Sequence, residues 1–125
     1  MLATTASHSP NLANSALHFD GIDDYVEVAH ANELSLTGDL TIEAWVKITD
    51  FDNFRSIVGK TNGNIAAPID LYLFPNTGIT KFLIGNGVSS ESVSGNASPP
   101  VGEWAHLAVV KIGTTVTHYL NGVPN

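Results

Sequence analysis

Apolar and polar residues alternate along most of the chain, and no stretch carries the three-to-four spacing of an amphipathic helix. The clearest case is "LTIEAWVKI" (40–48), where Ile42, Ala44 and Val46 fall on one face and Thr41, Glu43, Trp45 and Lys47 on the other. The same two-residue period recurs in "ALHF" (16–19), "YVEV" (25–28), "RSIVG" (55–59), "IDLYLF" (69–74), "TKFLIG" (80–85) and "SESVS" (90–94). It returns in "EWAHLAVVKI" (103–112) and "TVTHYLNG" (115–122), which predict a hairpin around Ile112-Gly113-Thr114. "HANELSL" (30–36) reads as a loop or one helical turn, and "TNGN" (61–64), "PNTG" and "GNG" are turn clusters. Nine short strands punctuated by Gly, Pro and Asn predict an all-β chain, an antiparallel sandwich or barrel.

The opening strands pose a question of chemistry. "ALHFDGIDDYVEV" (16–28) holds Asp20, Asp23, Asp24 and Glu27 among its apolar residues. The alternation predicts two strands joined at Asp20-Gly21, with Leu17 and Phe19 facing the core from one and Val26 and Val28 from the other. The acids are then a solvated rim, or oxygen ligands for a hard cation such as calcium.

Composition narrows the function classes. The 125 residues carry a formal charge of -7 and only five Lys and Arg, too few to meet nucleic-acid phosphates. Nine of the twelve acids lie between Asp20 and Asp52, and none follows Trp104. With no cysteine there is neither a disulfide nor a thiolate metal site. No apolar run approaches the roughly 20 residues that span a bilayer, so membrane insertion is not expected. Residues 1–15 read as a flexible leader without the marks of a signal peptide. The folded domain is expected over 16–125.

Four segments in order, L-x-F-D-G-x-x-D-Y-V (17–26), T-I-E-A-W-V (41–46), G-x-W-x-H-x-A (102–108) and Y-x-N-G (119–122), resemble a laminin-G-like, concanavalin A-like jelly-roll domain. The resemblance implies a jelly-roll β-sandwich. Similar domains continue past the Y-x-N-G hairpin, so the sandwich is expected to lack its last strands, with another chain able to complement an open edge. The resemblance also implies a non-catalytic recognition or adhesion module that binds carbohydrate or another protein, often beside calcium. Two alternatives accompany it: a structural or assembly module of a surface or phage particle, with homo-oligomers or strand complementation, and an accessory domain of a glycan-active enzyme. An extracellular, cell-surface or virion setting follows from the same likeness.

The candidate site residues divide by chemistry. Asp20, Asp23 and Asp24 are the metal candidates, without the spacing of an EF-hand. Trp45, Phe51, Phe54 and Glu43 are the ligand candidates, since aromatic rings stack on sugar faces and "DFDNFRS" is a connection where functional groups concentrate. Both tryptophans are common features of the resembled fold, which favours a core or half-core place for them. His106 and His118 fall on neighbouring predicted strands and could approach one another. Catalytic residues are not expected: the E-x-D-x-x-E strand of glucanases and the G-x-S-x-G elbow are both missing.

Overall fold

The structure is a computed structural model that describes residues 15–36, 38–60, 69–85 and 88–125. The chain divides into two compact units, Met1–Ser35 and Leu36–Asn125. The leader expected over 1–15 lies, apart from Ser15, outside the described residues, as does the "TNGN" turn.

The larger unit is an antiparallel β-sandwich of two four-stranded sheets, as expected of a jelly roll. Strand β1 (Leu40–Lys47) belongs to the first sheet. The chain then crosses to the second, where β2 (Arg55–Lys60), β3 (Ile69–Leu73), β4 (Thr80–Gly85) and β5 (Ser90–Ser94) follow one another as a meander. It returns as β6 (Trp104–Ile112), which pairs with β1, and ends in β7 (Thr115–Leu120) and β8 (Val123–Pro124). The β6–β7 hairpin forms where the sequence predicts it, with Ile112 opposite Thr115 and Gly113 at φ +55° in the turn.

The two-residue period decides which side chains are hidden. Leu40, Ile69, Leu71, Phe82 and Val109 make a core cluster drawn from both sheets, with Ile42, Ile57, Ile84 and Val116 packed against it. On β1 and β6 the register sets Ile42 against Val109, Ala44 against Leu107 and Val46 against Ala105. Thr41, Glu43, Trp45 and Lys47 therefore point away from the core, as the alternation predicts.

One polar residue crosses the layers. His118 of β7 is 2% exposed and faces inward. Its Nε2 lies 3.1 Å from the Val93 carbonyl and its Nδ1 lies 3.0 Å from the hydroxyl of buried Thr80. A carbonyl only accepts, so Nε2 carries the proton, Nδ1 accepts, and Thr80 donates. Desolvation pushes the His118 pKa down, against a smaller upward pull from the Val93 bond. His106 lies on the opposite face of the same sheet, so the two histidines do not meet as the sequence suggests.

The smaller unit departs from the sequence reading. Its regular elements, among the described residues, are a 3-10 turn at Asn32–Leu34 and a single bridge at His18. Leu17, Phe19, Val26 and Val28, expected to face a core, are exposed. Alternation marks the side chains a strand could hide, but a strand persists only beside a neighbour that completes its hydrogen bonds. Neither sheet includes residues 16–28. The Asp20-Gly21 turn does form: Gly21 has φ +78° and the Ile22 N–H donates to Asp20 Oδ1 at 2.8 Å.

Candidate functional site

The outer face of the first sheet carries the most distinctive surface of the larger unit. On β1 the outward residues run Glu43, Trp45, Lys47, and on β6 they include Trp104 and His106. Register places Trp45 directly opposite His106 and Lys47 opposite Trp104. The Trp45 and His106 rings lie 5.3 Å apart between centroids, tilted by 48°. Glu43 Oε2 approaches His106 Nε2 at 3.5 Å.

Trp45, Trp104, His106 and Asn121 line an open groove of about 600 Å³. Trp45 is 66% exposed and Trp104 is 51% exposed, so neither occupies the core position that the fold likeness favours. Residues 42, 44 and 46 of β1 and 105, 107 and 109 of β6 take the inward places, which leaves both indoles on the outward set. Asn121 enters from the β7–β8 turn. Its N–H donates to the His106 carbonyl at 2.8 Å, and its Oδ1 accepts from the His106 N–H at 2.8 Å.

The four ligand candidates do not form one cluster. Trp45 and Glu43 share the groove face, while Phe51 and Phe54 attach to the second sheet. The Phe54 ring stands 5.7 Å from Tyr72 and 5.4 Å from Phe74, edge-on to the latter, with Lys81 Nζ 4.2 Å above the Phe74 ring. Phe51 packs over Gly78. The connection carrying both phenylalanines is tied down by the Asp50–Arg55 ion pair and by the Asp52 N–H donating to Asp50 Oδ1 at 3.1 Å. These contacts, the Asp52 N–H first, hold the Asp50 carboxyl below its usual range.

In the smaller unit Asp20, Asp23 and Asp24 each offer an oxygen, and these atoms lie within 4.8 Å of one another. The Asp20 N–H donates to Asp24 Oδ2 at 2.9 Å, which keeps the turn closed. Three carboxylates at this spacing fit a hard cation, which takes six to eight oxygens and so needs carbonyls or water as well.

Sequence reading missed Trp104, His106 and Asn121 as members of the groove. The parity of "WAHLA" was available, since Trp104 and His106 alternate with Ala105 and Leu107. What carried no signal was the register that sets His106 against Trp45 and the turn that brings Asn121 back to β6.

The larger unit is thus an all-β sandwich with an open, aromatic outer groove. Residues 20–125 match the family model Laminin_G_3, the concanavalin A-like lectin/glucanases superfamily. The chain belongs to this family, whose laminin-G-like domains are generally non-catalytic and typically extracellular. No curated protein and no solved structure matches the chain. No helix among the described residues is long and apolar enough to cross a membrane.

Proposed function

We propose that the domain is a non-catalytic carbohydrate-recognition module that takes a neutral sugar across the outer face of β1 and β6. The observation that carries this reading is the groove itself, where two water-exposed indoles stand beside fixed polar groups. An indole face matches the C–H face of a pyranose, and polar neighbours fix its orientation. Charge supports a neutral ligand, because Glu43 and Lys47 flank Trp45 two residues away on either side and offset each other. Glu43 is the single acid in the four strands of this sheet, which argues against a two-carboxylate glycosidase on this face.

Binding to an array of neutral oligosaccharides, lost in Trp45→Ala and Trp104→Ala variants that keep their far-ultraviolet spectrum, tests the reading. Retention of every signal in both variants would overturn it. Calcium assistance through Asp20, Asp23 and Asp24 belongs to the same proposal, and EDTA should then weaken binding while Asp23→Asn reproduces the loss. The setting is an extracellular, cell or particle surface. The exposed apolar alternation of 16–28 favours a second reading, an assembly module in which another chain supplies the neighbouring strand. Light scattering separates the two: an obligate oligomer without glycan binding supports assembly.

A further inference from the structure

Asn121 is placed to do more than turn the chain. It and Gly122 form the two-residue β7–β8 turn, with φ 51° and 78°, both left-handed. Any residue tolerant of that conformation would close such a hairpin. Asn121 also bonds β6, extending the ladder beyond the last paired residue, Leu120 opposite Leu107. Its backbone N–H reaches the His106 carbonyl and its side-chain oxygen takes the His106 N–H, each at 2.8 Å. Because the partner is an N–H, the amide atom facing it must be oxygen. The orientation of the amide is thereby fixed, and the other atom, Nδ2, remains as a donor with no acceptor among the described residues. Asn121 lines the same groove as Trp45, Trp104 and His106.

We infer that Asn121 is a specificity-determining residue of the groove, donating from Nδ2 to an oxygen of a neutral oligosaccharide stacked on Trp45 and Trp104. The inference rests on the carbohydrate reading above and adds polarity to it. Asn121 donates, so the sugar must present an acceptor oxygen toward the turn. A glycosidic oxygen or an acetamido carbonyl, which accepts and cannot donate, satisfies this requirement. The backbone and the amide oxygen are already held, so the donor is in place before the ligand arrives and little ordering remains to be done on binding.

Asn121→Asp tests this directly. An aspartate keeps an oxygen for the His106 N–H and tolerates the left-handed conformation, so the hairpin should persist with an unchanged melting temperature. The outward group becomes an acceptor facing an acceptor. Calorimetric titration with neutral hexasaccharides of glucose, mannose, xylose and N-acetylglucosamine should show one that binds wild type and binds the variant about tenfold or more weakly. Asn121→Asp affinity within twofold of wild type, with Trp45→Ala abolishing binding, would overturn the role of Asn121 and leave the carbohydrate reading standing. If wild type binds none of the four, both fall. Should the variant melt early, the wild-type protein decides: on titration the Asn121 side-chain amide resonances must shift together with the Trp45 indole. An amide that stays still while the indole moves refutes the inference.

Discussion

His118 joins the two layers through a polar contact inside an apolar core, and cutting that contact gives a prediction with a definite sign. In His118→Leu the side chain keeps much of its volume, but the Thr80 hydroxyl and the Val93 carbonyl lose their partner. Thr80 is 3% exposed, so its hydroxyl bears the full cost of an unmet buried group, about 1–3 kcal/mol. Val93 is exposed at the β5 edge and its carbonyl can turn to water, which makes its share smaller. The expected loss is about 2 kcal/mol, with partial relief from the added apolar surface. Thr80→Val leaves Nδ1 unmet instead and should cost about 1 kcal/mol. The double variant removes both halves together, so its loss should fall short of the sum by about 1 kcal/mol or more. Urea unfolding followed by far-ultraviolet circular dichroism measures all three. Acidity supplies a second axis. Burial lowers the folded-state pKa of His118 below its ordinary 6.5, so the unfolded chain binds the proton first as pH falls. The His118 contribution is complete above 6.5 and drains away as pH drops from 6.5 toward the folded value. His118→Leu should flatten that part of the stability profile. Losses that add within about 0.5 kcal/mol, together with an unaltered acid slope, would refute the account.

Other substitutions test separate contacts. Phe82→Ala should cost about 3–5 kcal/mol in the same unfolding assay, since its ring is fully buried in the core cluster. Gly78→Ala should lower the melting temperature by an amount equivalent to about 1–3 kcal/mol, because φ is +65° and the new Cβ would lie 2.5 Å from the Phe51 ring. Gly95→Ala places a Cβ 2.6 Å from Thr80 Oγ1, so its loss of about 1–3 kcal/mol should shrink in a Thr80→Ala background, which removes the clashing atom, if the crowding acts through that contact. Asp70, whose pKa is raised by desolvation against a smaller pull from the Ser56 hydroxyl, should accept Asp70→Asn at neutral pH within about 0.5 kcal/mol, as the amide oxygen still meets Ser56.

The parity of each long strand was legible in the sequence, because a two-residue period states which side chains share a face. It placed Trp45 with Glu43 and Ile42 with Val46, and the structure keeps both groupings. Parity does not say which strands become neighbours, nor in what register. Trp45 opposite His106, and Asn121 against the β6 backbone, are products of pairing between segments far apart in the chain. The same gap explains residues 16–28, whose alternation is sound while the strands are missing. Phe51 and Phe54 show a different limit. The two lie three residues apart in one connection, yet one ring packs over Gly78 and the other joins Tyr72 and Phe74. His118 looked like any histidine on a strand, and only the second sheet makes it a bridge.

The sequence holds two tryptophans, and both line the same open groove. Intrinsic fluorescence from this domain is therefore a report on one patch of surface and its hydration. Emission should already be red-shifted in the native protein, so thermal or chemical melting followed at that wavelength will show little contrast. Anything that settles over the indoles will move the spectrum to the blue, which gives the molecule a label-free optical sensor for occupancy.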